Sequence, residues 1–513
     1  DVLKLEQVGI NDNFFELCCE ARGRLHIRAR ARRQGSKITP KQLFEKQTIA
    51  ELALVASAVE AKKINTTNET EKKSAAPVTL PLTPIQAHFF TRDIPQRNHF
   101  NQSVVLLPAT PLDAGHVEAT LQQLVLQHDM LRSSFTTVVP DQWQVKIRSV
   151  DEQKTLWQLQ PILWQKTATT EYELTGLFTA AQQSLDIARG ELIRALLVTL
   201  PDQRQRLLLV IHHLAVDGVS WRILLEDFQA AYRQRVTSQT ITSAANIPFT
   251  TSTSFANWSV KLSEYAQSDA VNTELGYWVE QLTNISPELP CKNSQGSHQL
   301  THVATAKTQL DKSTTVQLLT QAPAAYRTQV NDLLLTALAR VLTQWVEQES
   351  VLIQLEGHGR EDIANDIDLS RTVGWFSTLF PVKLSPVAND LSSSIKTIKE
   401  QLRAIPHKGI GYGLLRYLGN NDAQKNLAAL PQARITFNYL GQFDQGFNKD
   451  ALFVPARESS GESQGKHAAL SNWLTINGQV YDNSLEFSWS FSSDIFAPAV
   501  IEQLANNYAA ELK

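Results

Sequence analysis

The stretch Ile211-His212-His213-Leu214-Ala215-Val216-Asp217-Gly218 sets two imidazoles, a carboxylate and a glycine close together. An unperturbed imidazole titrates near pH 6.5, so a histidine here could take up and return a proton at neutral pH. His212, His213 and Asp217 could also ligate a metal. Neither a helical histidine pair nor a cysteine ligand accompanies them, so the reading is that no metal is held. The bland alternative for either histidine is a packed, hydrogen-bonded ring.

Two elements must position these groups. The run Leu207-Leu208-Leu209-Val210-Ile211 has the length of a buried strand, and from Trp221 to Tyr232 the residues Leu224, Phe228 and Ala231 fall at helical spacing. The histidines therefore sit where a strand turns toward a helix. Neighbouring side chains on a strand point to opposite faces, so at most one of the two looks into a given cavity. Asp217-Gly218 supplies a charge and a tight turn before the helix. A second strand, Ser350 to Leu355, delivers Glu356-Gly357-His358-Gly359-Arg360-Glu361. A carboxyl group there could donate a proton only if burial raised its pKa.

The chain has 513 residues, enough for several domains or lobes, and its 42% apolar and 19% charged content is that of a globular protein. A net charge of −3 gives no basis for nucleic-acid binding. Cys18, Cys19 and Cys291 form neither a disulfide framework nor a metal motif. No apolar run approaches a membrane span, and the first residues are no signal peptide. The expectation is a cytoplasmic piece of a larger multidomain protein.

Residues 1–58 read as a small helical module, with Thr39-Pro40 and Thr48-Ile49-Ala50-Glu51 as helix starts. The segments VGINDNFFEL and ITPKQLFEKQTIAELA resemble a peptidyl carrier domain, truncated at its front. The resemblance implies a serine that bears phosphopantetheine just after Phe-Phe-Glu-Leu. The matching positions hold Cys18, Cys19, Glu20 and Ala21, with Ala21 at the expected serine, and alanine has no hydroxyl to esterify. Arg22, Arg24, Arg28, Arg30, Arg32 and Arg33 crowd the following segment, where like charges repel. This copy reads as degenerate. Residues 59–79 are a polar linker.

From residue 80 the chain carries LTPIQAHFF (82–90), HDMLRSSF (128–135), HHLAVDGVSWRILLEDF (212–228), VNDLLLTALARVL (330–342), EGHGRE (356–361), RTVGWFSTLFP (371–381), PHKGIGYG (406–413) and FNYLGQFD (437–444). In this order they resemble the epimerization domains of nonribosomal peptide synthetases, within the condensation-domain superfamily. The resemblance implies an α/β (α+β) fold of two chloramphenicol-acetyltransferase-like lobes, 80–255 and 256–513, with the active site in a channel between them. It implies cofactor-independent L-to-D epimerization of an aminoacyl or peptidyl thioester in antibiotic and secondary-metabolite synthesis. The substrate would arrive on the 4'-phosphopantetheine of a carrier domain, beside adenylation and condensation domains of the same synthetase.

Carried over to this chain, the resemblance implies His213 and Glu356 as the acid–base pair. It implies a mainly structural Asp217 with a charged partner, and support from His212, Gly218, Arg360, Asn438 and Tyr439. Asn438 and Tyr439 adjoin on a strand and should point opposite ways. His88 reads as a half-buried helix histidine. Gly409-Ile410-Gly411-Tyr412-Gly413 has the wrong spacing for a dinucleotide fingerprint and reads as a flexible loop before a helix at Leu414. A condensing acyltransferase and a non-catalytic docking module remain as alternative readings.

Because Ala21 cannot form the phosphodiester, we expect this carrier copy to take up no phosphopantetheine. Intact-mass spectrometry after treatment with a phosphopantetheinyl transferase checks this, and a mass gain would restore carrier function to residues 1–58.

Overall fold

The computed structural model describes residues 77–513 except 141, 239–251, 365, 443–450 and 457, and, before them, 9–10, 31, 36–38, 46 and 48–58. The readings that rest on Cys18, Cys19, Ala21, Thr39-Pro40 and the arginine cluster lie outside the described residues. At the end of that module the helix Ile49–Val55 is present, with Thr48 Oγ1 accepting from the Glu51 backbone N–H at 3.2 Å.

The fold is mixed α/β and built in two lobes. In the first, a five-stranded sheet runs in the order Phe453–Pro455, Asn101–Pro108, Gln205–His212, Ile193–Thr199, Leu163–Thr167. The strand Gln205–His212 lies in its middle, antiparallel to both neighbours. Its unbroken apolar run follows from this place, because both faces are covered. Leu207, Leu209 and Ile211 enter the main core, while Leu208 and Val210 join a second cluster with Leu174 and Phe178. Leu174 and Phe178 stand on the helix Glu171–Gln183, which covers that face.

The second lobe holds a six-stranded sheet in the order Val303–Gln309, Ser484–Ser492, Leu474–Tyr481, Ile435–Gln442, Val351–Gly357, Thr378–Leu384. The strand Ile435–Gln442 is parallel to both neighbours. The apolar helix Val330–Val346 and the last helix, Pro498–Glu511, pack with this sheet. Tyr508 from the latter donates to the Leu334 carbonyl at 3.2 Å and stacks edge-on against Phe487 and Trp489.

Two expectations need correction. The lobes do not divide cleanly after residue 255: Phe453–Pro455 leaves the second lobe to pair antiparallel with Leu106–Pro108 of the first. Ala456 N–H to the Val105 carbonyl and Asn101 N–H to the Ser463 carbonyl continue that seam. The glycine run is helical, not a loop: a turn at Pro406–Gly409 leads into Ile410–Gly413 and a wider turn at Leu414–Leu418. The glycines serve close packing. A Cβ on Gly409, whose φ is +86°, would meet the Phe380 ring at 2.3 Å, and one on Gly411 would meet Glu274 at 1.9 Å.

Candidate active site between the lobes

The strand Gln205–His212 ends in a single 3₁₀ turn, His213–Ala215, and the helix Gly218–Ser238 follows. That change of direction sends the two imidazoles apart. His212 is fully buried; its Nε2 lies 2.7 Å from the Arg97 carbonyl, which can only accept, and its Nδ1 accepts from Leu214 N–H at 3.2 Å. Burial pushes its pKa down to about 3, aided by the neighbouring imidazoles His213 and His99, against the Arg97 hydrogen bond. The neutral ring stabilises the fold fully above about pH 6.5. As pH falls from there toward 3, the unfolded chain takes up the proton first and that contribution is lost.

His213 turns the other way. Its ring lies against Trp375 at 4.2 Å between centroids and stacks on Phe100 at 5.7 Å. Desolvation lowers its pKa, with Arg92 adding to the effect and Asp217 opposing it. The ring is therefore neutral at pH 7 and can accept a proton.

Asp217 has the partner the sequence left unnamed. Arg360 Nη2 lies 3.0 and 3.1 Å from its two carboxylate oxygens, and both residues are buried. Asp217 also accepts from Ser220 N–H at 2.7 Å and from Phe376 N–H at 3.1 Å. Arg360 donates further to Ser220 Oγ and to the carbonyls of Leu369 and Thr372, and stacks 3.8 Å over the Phe376 ring. One ion pair thus joins the histidine turn of the first lobe to two loops of the second. Gly359 makes the approach possible: its φ is +64°, and a Cβ there would lie 1.6 Å from the Phe376 carbonyl oxygen. Gly218 begins the helix with open space around its α-carbon.

Glu356 stands within the strand Val351–Gly357, and its carboxylate is exposed. Ser377 Oγ donates to Oε1 at 2.8 Å and Asn438 Nδ2 to Oε2 at 3.1 Å. Tyr439 takes the opposite face of its strand and packs on the core, as alternation requires, so it does not share the Glu356 side with Asn438. The burial that would favour a protonated carboxyl is absent in the free chain.

Trp375-Phe376-Ser377 connects the two groups. Trp375 lies against His213, Phe376 bonds Asp217 through its N–H, and Ser377 holds Glu356. The α-carbons of Trp375 and Ser377 are at most about 7 Å apart, so one short loop touches both the imidazole and the carboxylate. Beside Ser377 opens a pocket of about 60 Å³, bounded by Ile85, His88, Gln354, Leu379, Tyr412 and Tyr417, with no Asp, Glu, Lys or Arg in its lining. That volume holds roughly four or five water-sized groups. His88 bonds the Tyr417 hydroxyl at 2.8 Å, and its pKa is pushed to about 4 by burial, then by Arg92 and Arg416.

Gln102, Trp221, Trp375 and Ser377 escaped the sequence reading as functional residues. Trp375 and Ser377 stood inside the RTVGWFSTLFP motif but carried no titratable group. Gln102 lies outside every motif and is placed by the pairing of Asn101 with His212. Among the described residues no group of His, Cys, Asp and Glu could hold a metal, and no helix is long and apolar enough to cross a membrane.

Comparison with known proteins adds an independent line. The condensation-domain family profile matches residues 78–513. The chain is 39% identical over 522 residues to a linear gramicidin synthase polypeptide of Brevibacillus parabrevis, covering 100% of this chain and 7% of that protein. It is 35% identical over 514 residues to tyrocidine synthase 2 of the same organism, covering 100% of this chain and 14% of that protein. The chain thus spans a small part of the curated relatives it matches. Among solved structures, the epimerization domain from the third module of tyrocidine synthetase B superposes with a TM-score of 0.77 at 34% identity, over 86% of this chain and 97% of that one. The X-domain from teicoplanin biosynthesis shares the fold at a TM-score of 0.66 and 20% identity, over 85% of this chain and 95% of that one.

Removing one member of the buried pair leaves the other charge uncompensated. We expect Asp217→Ala and Arg360→Ala each to cost about 3–5 kcal/mol, and Asp217→Leu with Arg360→Met together to recover much of the loss. Urea unfolding monitored by tryptophan fluorescence checks both; single variants as stable as the parent would remove the pair from its structural role.

Proposed function

The chain belongs to the condensation-domain family, and from that premise we propose that residues 80–513 interconvert L and D configurations at the α-carbon of an aminoacyl or peptidyl thioester carried on phosphopantetheine. The observation that supports this reading is that one loop touches a neutral imidazole of the first lobe and a carboxylate of the second: Trp375 lies against His213, and Ser377 donates to Glu356. Inversion at carbon needs a proton taken from one face and returned to the other. Two ionisable groups reaching in from opposed lobes suit that task, and the likeness to an epimerization domain supports the same reading.

In this reading His213 takes the α-hydrogen and Glu356 returns one to the other face. Glu356 must be covered when it donates, because burial favours the protonated carboxyl. The thioester arm lying over it would supply that cover. Ser377 and Asn438 hold the carboxylate in place meanwhile. The thioester itself makes the α-hydrogen acidic enough that no cofactor is required. The uncharged pocket beside Ser377 suits an uncharged substrate side chain. The partners are a loaded carrier domain and the adenylation and condensation domains of a larger synthetase. Residues 1–58, as a degenerate carrier module, and the polar stretch from residue 59, as a linker, complete the proposed organisation with a cytoplasmic setting; the linker ends earlier than residue 79, because Val78–Leu80 is a strand paired antiparallel with Val145–Ile147.

Incubation with an L-aminoacyl-pantetheine or carrier thioester in D₂O tests the proposal. We expect deuterium at the α-carbon and movement toward a D/L mixture. No uptake from single substrates, with amide product from two carrier-bound ones, would assign the site to condensation instead.

Positioned acid–base groups contribute about 10²–10⁴ in rate. His213→Ala and Glu356→Gln should each lower the exchange rate by an amount in that range while leaving the far-ultraviolet circular dichroism unchanged. Full activity in either variant would take that residue out of the mechanism.

A further inference from the structure

His213 is held at both ring nitrogens. Nδ1 lies 2.9 Å from the Val216 carbonyl oxygen, which can only accept, so Nδ1 carries a hydrogen. Nε2 lies 2.9 Å from Gln102 Nε2. Which end of that amide faces the ring is settled by Trp221: its indole N–H can only donate, and it lies 2.9 Å from Gln102 Oε1. The amide nitrogen must therefore point at His213, and the imidazole must receive its hydrogen on a bare Nε2. The network assigns one tautomer, neutral and protonated at Nδ1, with the Nε2 lone pair engaged by Gln102.

We propose that Gln102 is a positioning residue that fixes the tautomer of His213 as the base of the pair, and that its amide must draw away from Nε2 before that lone pair can take a proton. This rests on the reading of His213 as the acid–base group. The Val216 bond strengthens when the ring is charged, so it does not oppose protonation. The Gln102 contact does: a protonated Nε2 would oppose its hydrogen to the amide NH₂. Turning the amide brings Oε1 to the imidazolium but takes it from Trp221 N–H.

Among the described residues, the charged and titratable groups around His213 are few. Asp217 favours the imidazolium, Arg92 opposes it, and His212 behind the backbone is neutral. Phe100 and Trp375, on the ring faces, carry no charge. Gln102 stands on the strand Asn101–Pro108, one residue from the Asn101–His212 pairing, so the backbone fixes its reach.

The test separates this proposal from the functional one because its main readout needs no substrate. In protein labelled with ¹⁵N-histidine, assigned with a His213→Gln control, the His213 shifts at pH 8 should report hydrogen on Nδ1 and none on Nε2. Gln102→Met removes the donor and should raise the His213 pKa. Gln102→Glu supplies an acceptor for both Trp221 and the imidazolium and should raise it further, by about 1–3 units as an adjacent carboxylate does. The acid limb of the deuterium-exchange profile should move to higher pH in the same order, with about tenfold less exchange for each unit by which the new pKa exceeds the assay pH. An Nε2–H tautomer in the unsubstituted protein, or an unmoved His213 titration in both variants, would overturn the proposal. The tautomer measurement decides even if a variant fails to fold.

Discussion

The Asp217–Arg360 pair is the constraint on which this site hangs. A carboxylate and a guanidinium withdrawn from water cost several kcal/mol each unless nearly every lone pair and hydrogen finds a partner. Here the partners come from Ser220 and Phe376 for the aspartate, and from Ser220, Leu369, Thr372 and the face of Phe376 for the arginine. Each of those groups sits on a segment close in sequence to His213, Glu356 or Trp375. The turn after His213, the loop after Glu356 and the Gly374–Ser377 stretch are fixed to one another because they share one buried charge pair. A hydrophobic replacement of similar volume could match its stability. It could not reproduce the directions those hydrogen bonds impose.

From that knot the division of labour between the two histidines follows. His212 closes the end of its strand, donating to Arg97 and accepting from Leu214, and it is buried beyond the reach of a proton at neutral pH. His213 begins the 3₁₀ turn, where the backbone leaves the sheet and its ring swings to the side of Trp375. Glu356, by contrast, is borne on a strand of the other sheet and meets water. A half-buried imidazole on one lobe and an exposed carboxylate on the other stand in unlike surroundings.

Much of this was legible in the residues. The strand–turn–helix around His212-His213 followed from an apolar run, an Asp-Gly pair and helical spacing after Trp221. Opposite faces for Asn438 and Tyr439 followed from strand alternation. Other features depended on contacts between positions far apart in the chain, which periodicity does not report. That Arg360 is the partner of Asp217, that Ser377 holds Glu356, and that Gln102 caps the His213 ring all arise from cross-lobe or cross-strand meetings. The glycine run at 409–413 misled because glycine usually marks a turn; here it is small so that Phe380 and Glu274 can come close to a helix. Exposure of Glu356 was equally hidden, since a strand residue's burial depends on what covers the sheet.

The strand Phe453–Pro455, which completes the first lobe's sheet, bears on how the chain is made. Ribosomes emit about 5–20 residues each second, so tens of seconds separate the emergence of His212 from that of Phe453. During that interval the outer edge of Asn101–Pro108 has no neighbour, and an unpaired apolar edge is a template for wrong partners. The nascent first lobe is thus a natural client for a chaperone, and a chain cut before residue 453 should emerge with an adhesive flank.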